Sequence, residues 1–320
     1  MIDMKAQILT ATLLTAFSGT LLSAADPQLL NLVMPDATVI AGVNVQQAEG
    51  TQFGQFVLNQ MQTQNAQMQN LVTLTGFDPR KDVRELLVAS NGGPQSKVGL
   101  ALARGNFDVS KLTAAAMLAG VASETYNGVT ILEDPKQQQA GIAFLDATTV
   151  VAGDVASVKG AIDRQKLAQP LPAALLVKIN QWSTSQDAWA ISTVPPTSLV
   201  PAAGANAAKQ NPMQMVAQNV QAAAGGVKFG AQVVFTGQAT CDTAQNATTM
   251  GDMLKLLINI AQMQQTNTDP NAATLIKSVT VTANGNLLNV SASLPEDVFQ
   301  QMVKPTAGKT KMVQRVPRKK

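Results

Sequence analysis

The stretch "SVTVTANGNLLNVSASLPEDVFQQMV" (residues 278–303) is typical of a β-hairpin followed by a short helix. Asn284-Gly285 is the preferred dipeptide for the centre of a two-residue type I′ turn, and Pro295 favours the start of a helix. Apolar residues alternate along both arms of the hairpin and are expected to share one face of it: Val279, Val281, Leu288, Val290 and Ala292.

A second stretch, "GIAFLDATTVVAGDVASVKGAI" (residues 141–162), predicts the same succession of hairpin and helix in the first half of the chain. The order of predicted strands and helices matches between the two halves, although few residues are identical. We therefore expect an α+β fold of two similar lobes that arose by duplication, each an antiparallel sheet with helices packed on one face. The two sheets are expected to join edge to edge, which would cover exposed strands. The alternative is that strands and helices alternate by chance.

A proline-bearing break, "LAQPLP" (residues 167–172), predicts the boundary between an N-terminal lobe, residues 26–170, and a C-terminal lobe, residues 171–304. Periodicity predicts further elements inside the lobes. In the first half they are one long helix within residues 50–77, a helix within 106–120 with Asp108 or Ser110 as its cap, and a helix within 154–166 capped by Asp154. In the second half they are a helix from Pro212 that stops at Gly225, a long strand over 227–241 and a helix over 242–265 with Asp242 and Gln245 as a capping box.

The first 25 residues have the pattern of a secretory signal peptide. Lys5 precedes an uncharged run from Ala6 to Ala25, and the run ends in the small residues Ser23, Ala24 and Ala25. We expect cleavage after Ala25 and export to the periplasm or the extracellular space, with no transmembrane span in the mature chain. The alternative is a membrane anchor that stays attached.

The C-terminus carries a basic tail, residues 305–320, which contains proline and glycine and is predicted to be disordered. From Lys304 onward there are seven positive residues and no acidic ones. We expect the tail to bind an anionic envelope surface or a protein partner, whereas nucleic acid is not expected for an exported chain. The alternative is a tail that only aids solubility. The candidate partner-binding residues are Lys309, Lys311, Arg315, Arg318, Lys319 and Lys320.

Composition excludes several kinds of catalytic site. The chain has no histidine, which rules out Ser-His-Asp and Cys-His triads and His-ligated zinc. Its one cysteine, Cys241, cannot form an internal disulfide and is expected to be buried rather than reactive. Aromatic residues are 4% of the chain, too few to favour base-stacking platforms. No catalytic, cofactor-binding or metal-binding residue is predicted.

Two groups of residues could still form sites. Asp78, Asp82 and Glu85 could provide paired carboxylates, but a salt-bridged turn explains them better. Methionines could line an apolar groove, with the loop from Pro195 to Asn211 as its lid, although such residues are more often ordinary core. The methionines in question are Met61, Met68, Met213, Met215, Met250 and Met253.

The phrases "TGFDPRKDVRELLVAS", "LARGNFDVSKL", "TYNGVTIL" and "AFLDATTVVAGDVASVKGAID" resemble exported proteins of uncharacterised function from acidobacteria and planctomycetes. The resemblance covers roughly residues 36–164 and implies export and a two-lobed α+β fold. It implies no active site.

The sequence therefore predicts a non-catalytic exported protein of the bacterial cell envelope, an interaction or scaffolding module with a basic tail. One alternative is a periplasmic carrier of a small apolar ligand, held between sheet and helices. A hydrolase that works without histidine is the third hypothesis.

Overall fold

The computed structural model describes residues 24–63, 66–92, 99–133, 140–196, 218–264 and 270–303. The predicted basic tail, residues 1–23 of the predicted signal peptide and nearly all of the predicted lid loop lie outside the described residues.

The elements follow in chain order. The first half contains α1 (Pro27–Leu30), β1 (Val39–Asn44), α2 (Val45–Glu49), α3 (Gln52–Thr63), α4 (Ala66–Thr75), α5 (Pro79–Asp82), β2 (Val83–Ser90), β3 (Gly99–Gly105), α6 (Val109–Leu118), β4 (Ala122–Tyr126), β5 (Val129–Glu133), β6 (Ala140–Asp146), β7 (Thr149–Asp154) and α7 (Val155–Lys166). The second half contains α8 (Ala173–Ser185), β8 (Ala188–Ser192), β9 (Val220–Lys228), β10 (Gln232–Cys241), α9 (Ala244–Gln264), α10 (Pro270–Ser278), β11 (Thr280–Asn284), β12 (Leu287–Pro295) and α11 (Glu296–Val303).

The described strands form one antiparallel sheet of twelve, in the order β11-β12-β10-β9-β8-β1-β2-β3-β7-β6-β5-β4. The mixture of helices with an antiparallel sheet confirms the α+β class. At its middle, β1 pairs with β8, and Ala41 lies opposite Ala190. Outward from this junction the order is β1-β2-β3-β7-β6 on one side and β8-β9-β10-β12-β11 on the other, and the hairpin β4–β5 extends the first side.

Side chains alternate along each strand, so the strand register shows which residues lie on each of the two faces of the sheet. We call one of them the core face; it carries Ile40, Leu87 and Leu102, all fully buried. Helices α1, α7 and α8 cover the core face and share one hydrophobic core with it. Leu175 and Trp182 of α8 belong to this core, so residues from both sides of the predicted boundary at 170 pack together.

The opposite face, which we call the open face, carries Ala41, Val88 and Ala190. Among the described residues, two smaller hydrophobic clusters lie on this face. Helix α6 packs Leu112 with Ala103 and Phe107, and α9 packs Ala247 and Met250 with Cys241, Val220 and Leu288.

Helices therefore lie on both faces in each half of the chain, and the expectation of helices on one face is wrong. In the first half α7 buries Val158 and Ile162 on the core face, while α6 lies on the open face. In the second half α8 lies on the core face and α9 on the open face. The physical reason is visible in β3. Leu100 and Leu102 alternate with Ala101 and Ala103, so the strand is apolar on both sides and is covered on both.

The hairpin in the opening stretch is confirmed, but its turn lies one residue later than predicted. Asn284 pairs with Leu287, which leaves Gly285 and Asn286 as the two turn residues. Gly285 has φ +56°, a conformation that glycine adopts without strain, and it occupies the first central position, as in a type II′ turn. Asn127-Gly128 between β4 and β5 has positive φ at both residues, which is the type I′ geometry.

Two predictions around residues 221–241 are wrong. The segment from Gln221 to Gly225 lies in β9 rather than in a helix, and the predicted long strand is a hairpin that turns between Lys228 and Gln232. Alanines favour a helix locally, but tertiary packing decides here. A Cβ atom on Gly226 would lie 2.4 Å from Cγ of Gln186, so this strand needs a residue without a side chain.

The helix starts agree with the sequence in two of three cases. Asp108 and Asp154 cap α6 and α7 as predicted, each accepting a hydrogen bond from the backbone N–H three residues later. For α9 the cap is Thr243, whose hydroxyl accepts from the N–H of Asn246 at 3.1 Å, rather than Asp242. The predicted long helix within 50–77 is described as α3 and α4, with residues 64–65 outside the described residues.

Candidate functional site

The middle of the open face forms a shallow apolar trough, which we call the trough, with a volume of about 310 Å³. All the residues that line it are apolar or glycine. Strands β1 and β8 contribute alanines here, and Val88 stays 45% exposed. The main lining residues are Ala41, Val43, Leu86, Val88, Ala190 and Val227. The trough offers apolar contact but no acid, base or nucleophile.

Helix α9, which packs on the open face, exposes a second apolar feature, which we call the α9 stripe. Residues spaced by three and four lie on one side of a helix. The inward side carries Leu254 and Ile258, which are partly buried against the sheet. The outward side exposes Leu256 (58%), Leu257 (39%), Ile260 (36%) and Met263 (71%).

Exposed apolar residues also occur at the ends of the helices on the other half of the open face. Leu74 of α4 is 75% exposed, and Met117 and Leu118 of α6 are 51% and 90% exposed. Large exposed apolar patches on a folded protein mark contact sites more often than scattered single residues do. The open face therefore exposes apolar residues at several places along the sheet.

The three acidic residues considered as a paired-carboxylate site do not form one site. Asp78 caps α5 and receives a 2.6 Å ion pair from Arg80, whose hydrogen bond holds the pKa of Asp78 below its usual value. Asp82 accepts a 2.7 Å hydrogen bond from the backbone N–H of Asp78. These two form the salt-bridged turn, whereas Glu85 lies on the core face of β2.

Glu85 borders a polar cleft of about 720 Å³ where the N-terminal segment meets the sheet. Both of its carboxylate oxygens accept from the backbone N–H of Asp26, at 3.0 and 3.2 Å. The side chain of Asp26 pairs with Nε of Arg104 at 2.7 Å. Arg104 also donates to the hydroxyls of Thr148 and Thr149 and to Gln28.

The two carboxyl groups of this cleft have opposite pKa shifts. Burial raises the pKa of Glu85 to about 7, and the neighbouring Asp26 charge adds to it, against the hydrogen bond from the Asp26 N–H. Burial also acts to raise the pKa of Asp26, but hydrogen bonds from Arg104 and from the N–H of Gln28 outweigh it, so that pKa lies below its usual value.

Cys241 is buried, as predicted, and its Sγ lies 3.5 Å from Sδ of Met250. Burial raises the pKa of the thiol, and the charge of Asp242 raises it further. Both effects disfavour the reactive thiolate, so Cys241 acts as a small core residue.

Two further features are absent from the described residues. In this part of the chain, no three Asp, Glu or Cys side chains come together as metal ligands. None of the described helices combines the length and the apolar character needed to cross a membrane.

Sequence reasoning missed both the α9 stripe and the Glu85 cleft. The segment "MLKLLINI" (residues 253–260) is apolar on more than one side of its helix, which is the signal that could have identified the stripe. Nothing local indicates the cleft, because Asp26 and Arg104 are brought to Glu85 only by the fold.

The chain is similar in fold to TP0453, as two solved structures of that protein show. Crystal form I matches with a TM-score of 0.54 at 11% identity, over 88% of this chain and 97% of that chain. Crystal form IV matches with a TM-score of 0.50 at the same identity and coverage. No protein-family model and no curated protein matches the chain. The likeness to TP0453 shows that the fold described here has been observed in another protein, and it shows the fold alone.

Proposed function

We propose that the chain is an exported, non-catalytic protein of the bacterial cell envelope that holds a partner protein on its open face. The observation that carries this proposal is the α9 stripe. Its four large apolar side chains are between 36% and 71% exposed, although the same helix buries another side against the sheet. Full burial of an exposed side chain of this size contributes about 1.5–3 kcal/mol, and covering these partly exposed side chains contributes a corresponding fraction each, so an apolar partner surface is favoured here.

Export is supported by the signal-peptide pattern of residues 1–25. A binding role without catalysis is supported by the lack of histidine and by the apolar lining of the trough. The basic tail provides a second, electrostatic attraction to the anionic envelope, and this attraction weakens as salt is added.

Two similar lobes are part of the same proposal. The order β1-β2-β3-β7-β6 on one side of the junction corresponds to β8-β9-β10-β12-β11 on the other. The junction pair is antiparallel, with Ala41 opposite Ala190, and such a pair is compatible with a two-fold relation between the halves. A duplication accounts for this correspondence. The lobes meet edge to edge, so neither presents its first strand as a free edge.

The test is co-sedimentation of the purified protein with isolated envelopes. The triple variant Leu256→Ser, Ile260→Ser, Met263→Ser should bind at least about tenfold more weakly, since removing buried apolar contacts worth about 1.4 kcal/mol costs that factor. The matched control is Val177→Ser. Val177 is 66% exposed and lies on α8, the helix that covers the opposite, core face of the sheet. This control variant should bind as the unchanged protein does.

Two further arms identify the partner. Treating the envelopes with protease should reduce the binding of the unchanged protein to the level of the triple variant, because only the attraction between the tail and the anionic envelope remains, and undiminished binding would contradict a protein partner. Deleting residues 309–320 should weaken binding and reduce its dependence on salt. Equal binding by the triple variant and the unchanged protein would overturn the proposed surface.

The second candidate function is a carrier of a small apolar ligand, and the trough is the observation that favours it. Its lining is entirely apolar, and it lies between the α6 and α9 sides of the open face. Solvent extraction of the exported protein followed by mass spectrometry tests this function. A molecule present at one per chain and lost in Ala190→Leu, which fills the trough, would support the carrier over the interaction module.

A further inference from the structure

The backbone nitrogen of Asp26 lies directly against the carboxylate of Glu85. The distances from this nitrogen to the two carboxylate oxygens are 3.0 and 3.2 Å. A peptide nitrogen carries one hydrogen, so both oxygens share a single donor. Asp26 is also the first residue after Ala25, where the sequence predicts that the signal peptide ends.

Glu85 makes no ion pair among the described residues, although the charge of Arg104 acts on it. Arg104 lies opposite Glu85 in the β2–β3 register, but its described hydrogen bonds go to the Asp26 carboxylate, to Gln28 and to two threonine hydroxyls. The other charged groups nearby are Arg84, which lines the cleft, and Asp146, which acts on Arg104. The polar residues from β1, α2 and α8 in this region, Asn44, Gln46 and Ser183, are neutral.

We infer that Glu85 is the docking site for the α-ammonium group of Asp26, which forms when the signal peptide is removed after Ala25. In that step water adds across the peptide bond. The Ala25 carbonyl carbon takes the oxygen and leaves as a carboxylate, and the Asp26 nitrogen becomes an ammonium group at neutral pH. An ammonium group has three hydrogens and can serve both Glu85 oxygens separately, with one hydrogen left for the space that Ala25 vacates. The inference rests on the proposed export.

Burial of the cleavage point means that cleavage must come before folding. Ala25 is 4% exposed, and its N–H donates to Oγ of Ser183 at 3.1 Å. A peptidase cannot reach this bond in the folded chain, so cleavage precedes folding. The new N-terminus then becomes part of the folded core region rather than a loose end.

Cleavage should change the titration of Glu85. With the peptide bond intact, burial holds the pKa of Glu85 at about 7. A cation at the same position favours the carboxylate and should bring that pKa below its ordinary value of about 4.3. In return the carboxylate raises the pKa of the ammonium group above its ordinary value of about 7.7–8.0.

The stabilisation from this ion pair is therefore lost both at low pH and at high pH. The carboxylate part is complete above about pH 4.3 and is lost as the pH falls through the lowered pKa of Glu85. The ammonium part is complete below about pH 8 and is lost as the pH rises through its raised pKa. The ion pair should stabilise the mature fold most between roughly pH 5 and pH 8.

The first arm of the test is the intact mass of the protein purified from exporting cells. A mass that begins at Asp26 supports the inference. An exported protein that begins at any other residue, or keeps its leader, overturns the inference and leaves the binding function standing. A protein found uncleaved in the cytoplasm overturns both.

The second arm compares a chain that begins at Asp26 with one that begins at Ala25, each with and without Glu85→Gln. In the Asp26 chain, the substitution should lower the folding equilibrium constant at pH 7 at least tenfold, as judged by urea unfolding. In the Ala25 chain, where the ammonium group is displaced by one residue, the substitution should lower the folding equilibrium constant less than threefold. Equal losses in both chains would overturn the inference.

A titration of the unsubstituted chains keeps the test valid if Glu85→Gln fails to fold. The Glu85 carboxyl carbon, followed by NMR with labelled glutamate, should titrate below its ordinary range in the Asp26 chain and at a distinctly higher pH in the Ala25 chain. The same pKa in both chains would contradict the ion pair.

Discussion

Replacing Gly42 with alanine should weaken the junction between the two halves of the sheet. Gly42 lies on β1 between Trp189 of β8 and Leu87 of β2, with which it is in register. The indole of Trp189 lies across the glycine, where any side chain would meet it. A Cβ atom on residue 42 would lie 2.6 Å from Cζ2 of Trp189 and 2.8 Å from Cδ2 of Leu87.

Both distances are shorter than van der Waals contact, and both neighbours are buried, with Trp189 6% and Leu87 0% exposed. Neither side chain can move without displacing other core residues, because interiors are close-packed. Overpacking of this kind costs about 1–3 kcal/mol. We therefore expect Gly42→Ala to lower the free energy of unfolding by about 1–3 kcal/mol, measured by urea denaturation.

Gly237→Ala is the matched control, since Gly237 also lies inside a strand that is paired on both sides. A Cβ atom on Gly237 would have the carbonyl oxygen of Val290 as its nearest neighbour, at 4.0 Å, which leaves room for a methyl group. This substitution should leave stability unchanged or raise it by up to about 1 kcal/mol. A double-mutant cycle with Trp189→Phe should show coupling of at least about 0.5 kcal/mol with Gly42→Ala. Equal stability of the two glycine variants, with no coupling, would refute the close packing at the junction.

Three further predictions concern other parts of the fold. Gly285→Ala should cost about 1 kcal/mol because Gly285 has φ +56°, and Gly285→Asn should cost less because asparagine tolerates that region; equal costs in thermal unfolding would contradict the assigned turn. The thiol of Cys241 should react with a disulfide reagent only at the rate of unfolding, because it is buried and its pKa is raised; fast labelling of the native protein would contradict its burial. Burial acts to raise the pKa of Asp154, but hydrogen bonds from Ser157 and from the N–H of Gly99 outweigh it and hold that pKa low, so its contribution to stability is complete above about pH 4 and is lost as the pH falls further. The Asp154→Asn variant keeps a capping side chain, but its stability should no longer depend on the protonation of residue 154. If the urea unfolding midpoint varies with pH between about pH 2 and pH 5 in the same way for the variant and the unchanged protein, this role of Asp154 is contradicted.

Local patterns predicted the parts of the fold that depend on neighbouring residues. Alternation identified the hairpin β11–β12, and the capping pattern identified Asp108 and Asp154. The local preference of Asn284-Gly285 for a type I′ turn predicts the turn one residue too early. The pairing of Asn284 with Leu287 instead puts Gly285 at the first central position.

What the sequence could not predict depends on distant contacts. Strand β9 is rich in alanine and glycine, and only its packing against Gln186 and its neighbours explains why it is extended. The direction of the α9 stripe depends on which side of the helix meets the sheet. Closeness in sequence groups Glu85 with the Asp78 turn, whereas the strand register places it beside Arg104 and Asp26.

Native mass spectrometry of the protein purified from the envelope without detergent tests the central claim most directly. We expect an assembly that is heavier than one chain by the mass of a protein partner. The partner should be absent from the Leu256→Ser, Ile260→Ser, Met263→Ser variant and present on Val177→Ser. A single chain at its calculated mass from the unchanged protein and from both variants would contradict an interaction module that uses the open face.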